Sequence, residues 1–153
     1  MGPRLGGWAR VAATTGVVVA LDQATKQLAI SSVAPGRSEN IFFGLELTNT
    51  RNTGVAFGAF AGGGALVAVL IGLALLGLVA YFTTHARTPY LWLPTGMLFG
   101  GALGNLADRA REGAVIDFVD PAFWPAFNLA DASIVVGVLA LFYVAEGRPA
   151  AAT

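Results

Sequence analysis

The chain reads as a mainly α-helical, polytopic membrane protein, with four transmembrane helices and a small β element outside the membrane. Three observations predict this. Charged residues make up 12% of the 153 positions and hydrophobic ones 56%, against about 25% and 45–50% in a soluble domain, and the mean hydropathy is +0.68. Apolar runs recur at close to the ~20 residues that cross a bilayer's hydrocarbon. Four of the nine acidic residues are aspartates within the 24 positions from Asp108 to Asp131, and that stretch lies between two of the apolar runs. The length suits a single membrane-embedded domain spanning residues 1–153.

The first span is expected over residues 11–30. Arg4 and Arg10 precede it as in the n-region of a signal peptide, but the apolar run passes directly into DQATKQLAI, which favours an uncleaved helix carrying Asp22 and Lys26 in its second half. Pro35 and Gly36 then make a turn. Phe43, Leu45 and Leu47 alternate with Gly44, Glu46 and Thr48, a period of two that predicts a short strand. Asn52–Gly54 supplies a turn, and Val55–Phe60 is expected to return as a second strand. Residues 64–82 and 89–107 are two charge-free runs of 19, joined by a tight polar loop that holds His85 and Arg87. Residues 108–127 form the second long polar connection, in which Trp124 suits a membrane interface. Residues 128–145 make the fourth span. Gly72, Gly77, Gly96, Gly100, Gly101 and Gly104 permit close helix approach in lipid. Four spans put both termini on one side of the membrane and both long connections, 31–60 and 108–127, on the other. Charge does not orient them, because Arg4, Arg10, Arg87 and Arg148 balance Arg37, Arg51, Arg109 and Arg111.

Composition also narrows the chemistry. Nine basic and nine acidic residues cancel, so no basic surface argues for nucleic acid. Without cysteine there is no thiol catalysis, disulfide or thiolate metal site, and His85 alone makes no histidine relay or HExxH zinc site. Neither a metal nor a cofactor is expected. Carboxylates remain, and ionisable groups beside hydrocarbon are functional candidates by default.

Asp131 follows Asn128 by three residues, about one turn (~5 Å) into the fourth helix. There the positive end of the helix dipole favours its charge and desolvation opposes it. Asp117, in AVIDFV, has apolar neighbours that desolvate it similarly. If the connection folds back, the two carboxylates meet and share a proton, which suits aspartyl-type amide hydrolysis. Equally, Asn128-x-x-Asp131 is an ordinary helix start and Asp117 a loop residue. Asp22 and Lys26 stand at i,i+4: they either line the site or form a structural pair with Lys26 snorkelling. Asp108 and Arg109 close the third helix beside Asn105, and Arg109 either binds a headgroup or substrate carbonyl or pairs with Asp108. Asn52 either bonds an extended peptide or only makes a turn with Gly54. His85 reads as an ordinary surface histidine.

Taken together, DQATK (Asp22–Lys26), RNTGVAFG (Arg51–Gly58), GGALGNLADR (Gly100–Arg109), VIDF (Val115–Phe118) and FNLAD (Phe127–Asp131) resemble the lipoprotein signal peptidases, the type II signal peptidases of bacteria, in order and spacing across nearly the whole chain. The resemblance implies an intramembrane aspartyl peptidase with four transmembrane helices, an extracytoplasmic β-cradle and a periplasmic loop or short helix over the site. Such an enzyme removes the signal peptide of a prolipoprotein just before a cysteine that carries diacylglycerol. On this resemblance Asp117 and Asp131 are the catalytic dyad. Asn52, Asn105, Arg109 and Asn128 would surround substrate or a globomycin-type inhibitor, and Asp22, Lys26, Asp108 and Gly54 would support them. It further implies a monomer in the bacterial cytoplasmic (inner) membrane, with both termini cytoplasmic and residues 31–60 and 108–127 outside.

Two other classes compete. A proton-relay or transport protein would want acids deep in several helices, yet residues 64–82 have none and the others cluster toward one face. A lipid-binding scaffold would use Arg109 and Asn52 but needs no carboxylate pair.

Overall fold

The computed structural model describes residues 3–54 and 64–146. Four helices and three strands follow in the order α1 (Pro3–Ser32), β1 (Ser38–Phe42), β2 (Leu45–Asn52), α2 (Gly64–His85), α3 (Trp92–Glu112), β3 (Val115–Pro121) and α4 (Leu129–Glu146). The protein is thus mainly helical, with one small antiparallel sheet. By composition alone two helices are long and apolar enough to cross a membrane, with mean hydropathies of 2.5 over Leu66–His85 and 1.8 over Leu129–Glu146. Both leave large apolar side chains exposed, among them Leu70, Leu73, Leu76, Leu139 and Phe142.

α3 begins and ends later than its apolar run predicts. Pro89 falls in the preceding turn, while Pro94 sits in the first turn, where a missing N–H breaks no helical bond. At the other end the helix continues through Asp108, whose charge is met by Lys26 of α1 at 2.7 Å. It stops at Gly113, which takes the left-handed conformation (φ 70°) and donates its N–H to the Arg109 carbonyl.

Glycines on α3 let α1 and α4 approach its backbone. A Cβ on Gly100 would lie 2.5 Å from Val18 Cβ, and one on Gly101 would lie 2.5 Å from the Ala130 carbonyl oxygen. These close contacts bring the upper half of α1 and the first turn of α4 against the same stretch of α3.

The sheet has the order β1-β2-β3. β2 starts at Leu45 rather than Phe43, because Phe43 and Gly44 take φ of 26° and 77° and form the hairpin turn. The strand expected at Val55–Phe60 lies outside the described residues. Among the described residues β2 pairs with β1 and also with β3, drawn from the connection between α3 and α4, with Thr50 opposite Asp117 and Asn52 opposite Val115. Among the described residues there is no short helix over the sheet. Two contacts position the sheet on the helices. The Asn49 side-chain amide donates to the Val33 carbonyl at the end of α1 (2.9 Å), and Phe127 exchanges backbone hydrogen bonds of 2.9 Å with Val119, which delivers Asn128 beside β3.

Gly101→Ala places a methyl 2.5 Å from the Ala130 carbonyl oxygen, which cannot swing aside as a side chain can, and 2.7 Å from Ile134 Cγ1. It is expected to lower stability by about 1–3 kcal/mol, read as a fall in thermal midpoint in detergent; an unchanged midpoint would contradict the close α3–α4 packing.

Candidate active site

Asp117 lies on β3, and side chains two residues apart on neighbouring strands share a face. Asn52, two residues beyond Asp117's partner Thr50, therefore reaches it: Asn52 Nδ2 donates to Asp117 Oδ2 at 3.0 Å. From the other side Asn128 Nδ2 donates to Asp117 Oδ1 at 2.7 Å. The carboxyl is buried, and burial, more than any other cause, pushes its pKa from 3.8 up to about 6. The bond from Asn52 pulls it down, the charge of Asp131 pushes it up, and Asn128 and Lys26 pull it down.

Asp131 is the third residue of α4. Its backbone N–H donates to Asn128 Oδ1 (2.9 Å), and the Asn128 N–H donates back to Asp131 Oδ2 (3.2 Å). That is the reciprocal capping arrangement. The helix-start reading of Asn128-x-x-Asp131 is therefore present in the structure, and the same asparagine also holds Asp117. Cap and carboxylate junction are one arrangement.

Asn105 of α3 completes it. Its Oδ1 accepts from Asn128 Nδ2 (3.1 Å) and from Lys26 Nζ (3.0 Å), and its Nδ2 donates to Asp131 Oδ1 (2.8 Å). An ammonium beside Oδ1 admits only one orientation of the amide, so Lys26 determines which end of Asn105 faces Asp131.

Lys26 does not snorkel. Its side chain is buried, bonded to Asp22 at 2.8 Å and Asp108 at 2.7 Å. Asp22 Oδ1 also accepts the Ala130 N–H in the first turn of α4 (2.9 Å). Nor does Asp108 pair with Arg109. Its Oδ1 accepts from Gln23 Nε2 (2.9 Å) and its Oδ2 from the Ile116 N–H on β3 (3.3 Å). Arg109 reaches across to the Gly54 carbonyl (3.0 Å), while the Gly54 N–H donates to Asn52 Oδ1 (3.0 Å). The Asn52–Gly54 turn is thus real, and the same Asn52 side chain holds Asp117. His85 is remote from all of this, stacked on Tyr81 with ring centroids 4.3 Å apart.

Sequence reasoning missed Gln23, which also accepts from Arg111. The available signal was its place inside DQATK, next to an aspartate that needs more donors than Lys26 supplies. It also missed Glu112, which pairs with Arg51 at 2.6 Å between α3 and β2; nothing local links those two.

The family comparison agrees with this arrangement of blocks. A family model described as Signal peptidase (SPase) II matches residues 14–145. The chain belongs to the signal peptidase II family. It is therefore a protease by family, and membership implies cleavage of prolipoprotein signal peptides. It is similar to the lipoprotein signal peptidase of Syntrophomonas wolfei, 42% identical over 135 residues that cover 86% of this chain and 91% of that one. The corresponding protein of Moorella thermoacetica is 41% identical over 129 residues, 82% of this chain and 85% of that one. Two solved structures, each described as a bacterial membrane enzyme, share the fold at 32% identity. One has a TM-score of 0.80 and covers 89% of this chain and 86% of its own; the other has 0.78, 92% and 94%. This likeness, with the apolar α2 and α4, makes this signal peptidase II relative an integral membrane protein.

Two predictions arise here. Lys26→Met leaves Asp22 and Asp108 buried without their cation and is expected to destabilise the fold by about 3–5 kcal/mol; chemical denaturation in detergent measures it, and a loss below about 1 kcal/mol would contradict the shared-cation arrangement. Asp117 gives a pH signature. Its folded pKa lies above its unfolded one, so its contribution to stability is full below 3.8 and is lost as pH rises through about 6, a change of about 3 kcal/mol. Asp117→Asn is expected to flatten that part of the stability–pH curve, and an identical curve would disprove it.

Proposed function

We propose that this chain is an intramembrane aspartyl endopeptidase that removes the signal peptide from diacylglyceryl-modified prolipoproteins, cutting N-terminal to the lipidated cysteine, with Asp117 and Asp131 as its catalytic dyad. One observation carries the reading: Asn128 is hydrogen-bonded to both carboxylates, at the mouth of an apolar helix bundle.

Two carboxylates that feel each other's charge do not readily both ionise, so one proton is held between them. The ionised partner takes a proton from water as the water oxygen attacks the scissile carbonyl carbon. The protonated partner hydrogen-bonds the carbonyl oxygen as charge develops there. The tetrahedral intermediate then collapses, with a proton delivered to the leaving nitrogen and the carbonyl re-formed. Asn52, Asn105 and Asn128 hold the carboxylates in place, and Arg109 secures the turn at Gly54 beside them. The same four residues would line the path of substrate or of a globomycin-type inhibitor, with Asp22, Lys26 and Asp108 supporting them from behind.

In this reading all four helices cross the cytoplasmic membrane of a bacterium. Both termini and His85 lie inside, and residues 31–60 and 108–127 lie outside. α1 and α3 cross despite their charges because Lys26 pairs with both Asp22 and Asp108, and N–H donors from Gln23, Ala130 and Ile116 meet the negative charge left over. A site at the outer surface lets diacylglyceryl chains remain in the bilayer while the peptide bond reaches the aspartates. The enzyme acts as a monomer and single domain without a cofactor.

Purified protein acting on a diacylglyceryl-modified prolipoprotein, followed by gel shift, is the test. Asp117→Asn and Asp131→Asn are each expected to lower cleavage by roughly 10²–10⁴-fold while remaining folded, and a precursor without lipid is expected to be cut poorly. Full cleavage by either folded variant would overturn the dyad; efficient cleavage of the lipid-free precursor would overturn the substrate assignment.

A further inference from the structure

At the end of the bundle away from Asp117 and Asp131, the start of α1, the end of α2, the connection from Ala86 to Tyr90 and Trp92 at the start of α3 line a cavity of about 440 Å³. Its inner wall is apolar, formed by buried Phe82 with Ala86 and the bare backbone of Gly7. Its rim carries Arg10, Arg87, Thr88, Tyr90 and Trp92, and no lining residue is acidic. Arg10 and Arg87 take part in none of the ion pairs found among the described residues. The Arg10 guanidinium carbon stands 5.8 Å over the Trp92 ring, a contact that orients a cation without neutralising it. Tyr90, largely exposed, takes φ 61°, a conformation unusual for a bulky residue.

This distribution of chemistry is amphipathic. Two uncompensated guanidiniums match a phosphate, which they can bind through paired N–H donors. The apolar wall behind them matches glycerol and the first acyl carbons, and tyrosine and tryptophan are the residues that sit at headgroup depth. Basic pockets between helices at that depth are suited to anionic headgroups. We propose that this cavity is a binding site for a net-anionic phospholipid, with its phosphate on Arg10 and Arg87 and its glycerol backbone against Phe82. The site shares no residue with the carboxylate junction. Its occupant is a resident lipid of the leaflet at that end, not a substrate.

The test is native mass spectrometry of the purified full-length protein in neutral detergent, titrated with phosphatidylglycerol, phosphatidylcholine or glycerol 3-phosphate. One phosphatidylglycerol is expected to bind in preference to the other two. Arg10→Gln and Arg87→Gln are each expected to weaken it roughly fivefold. Gly6 also lines the cavity, and a Cβ there meets nothing within 4 Å. Gly6→Leu is therefore expected to fill the space and exclude the lipid while leaving both arginines in place. Prolipoprotein cleavage in neutral detergent, expected to be unchanged, reports that each variant is folded. Equal binding of the two lipids, or undiminished phosphatidylglycerol binding in all three variants, would overturn the proposal. Glycerol 3-phosphate binding as tightly as phosphatidylglycerol, and displacing it, would overturn the lipid assignment in favour of a soluble phosphate ligand.

Discussion

The side chain of Lys26 is 2% exposed, and its ammonium lies between the carboxylates of Asp22 and Asp108 and against the amide oxygen of Asn105. Taking such ions out of water costs several kcal/mol each, and mutual attraction offsets this only if the remaining lone pairs are also satisfied. Here one cation serves two carboxylates, so other donors are needed. They come from the Gln23 side chain on α1, the Ala130 N–H on α4 and the Ile116 N–H on β3. Each donor belongs to a different element, so the electrostatic demand of one lysine joins α1, α3, α4 and β3 at a single level of the bundle.

From that level order passes to the carboxylates through amides. Asn105 presents Nδ2 to Asp131 because its Oδ1 is engaged by Lys26 and Asn128. Asn128 caps α4 with its Oδ1 and grips Asp117 with its Nδ2. Amides suit this task because they carry a donor and an acceptor but no charge: they fix geometry, and the hydrogen bonds that Asn52 and Asn128 donate favour the ionised form of Asp117. Burial and the neighbouring negative charge oppose that, and at Asp117 they outweigh the hydrogen bonds.

The sheet supplies what a helix bundle lacks. An aspartate in a loop between α3 and α4 would be free to face solvent. Pairing Val115–Pro121 with Leu45–Asn52 fixes which face Asp117 occupies, because a slip of one residue would turn it away. The Phe127–Val119 bridge then returns the chain to the cap of α4 with little slack. The two aspartates stand 14 positions apart in sequence, and that short return brings them to one asparagine.

By itself the sequence determined the helical class, the apolar runs of α2 and α4, the Pro35–Gly36 and Asn52–Gly54 turns, and the family, since five polar blocks in one order and spacing are highly specific. These properties are local or cumulative along the chain, so hydropathy, turn chemistry and motif reveal them directly. Only the tertiary structure decided that Lys26 turns inward to Asp108, that Arg109 reaches Gly54 rather than its neighbour Asp108, that residues 115–121 form a strand, and that one asparagine is both helix cap and link between two carboxylates. Each of these depends on a partner brought close from elsewhere in the chain. A residue type shows which bonds a side chain can make, but the choice among possible partners is made by packing, here by glycines on α3 that draw α1 and α4 together and leave the buried charges no water to turn to.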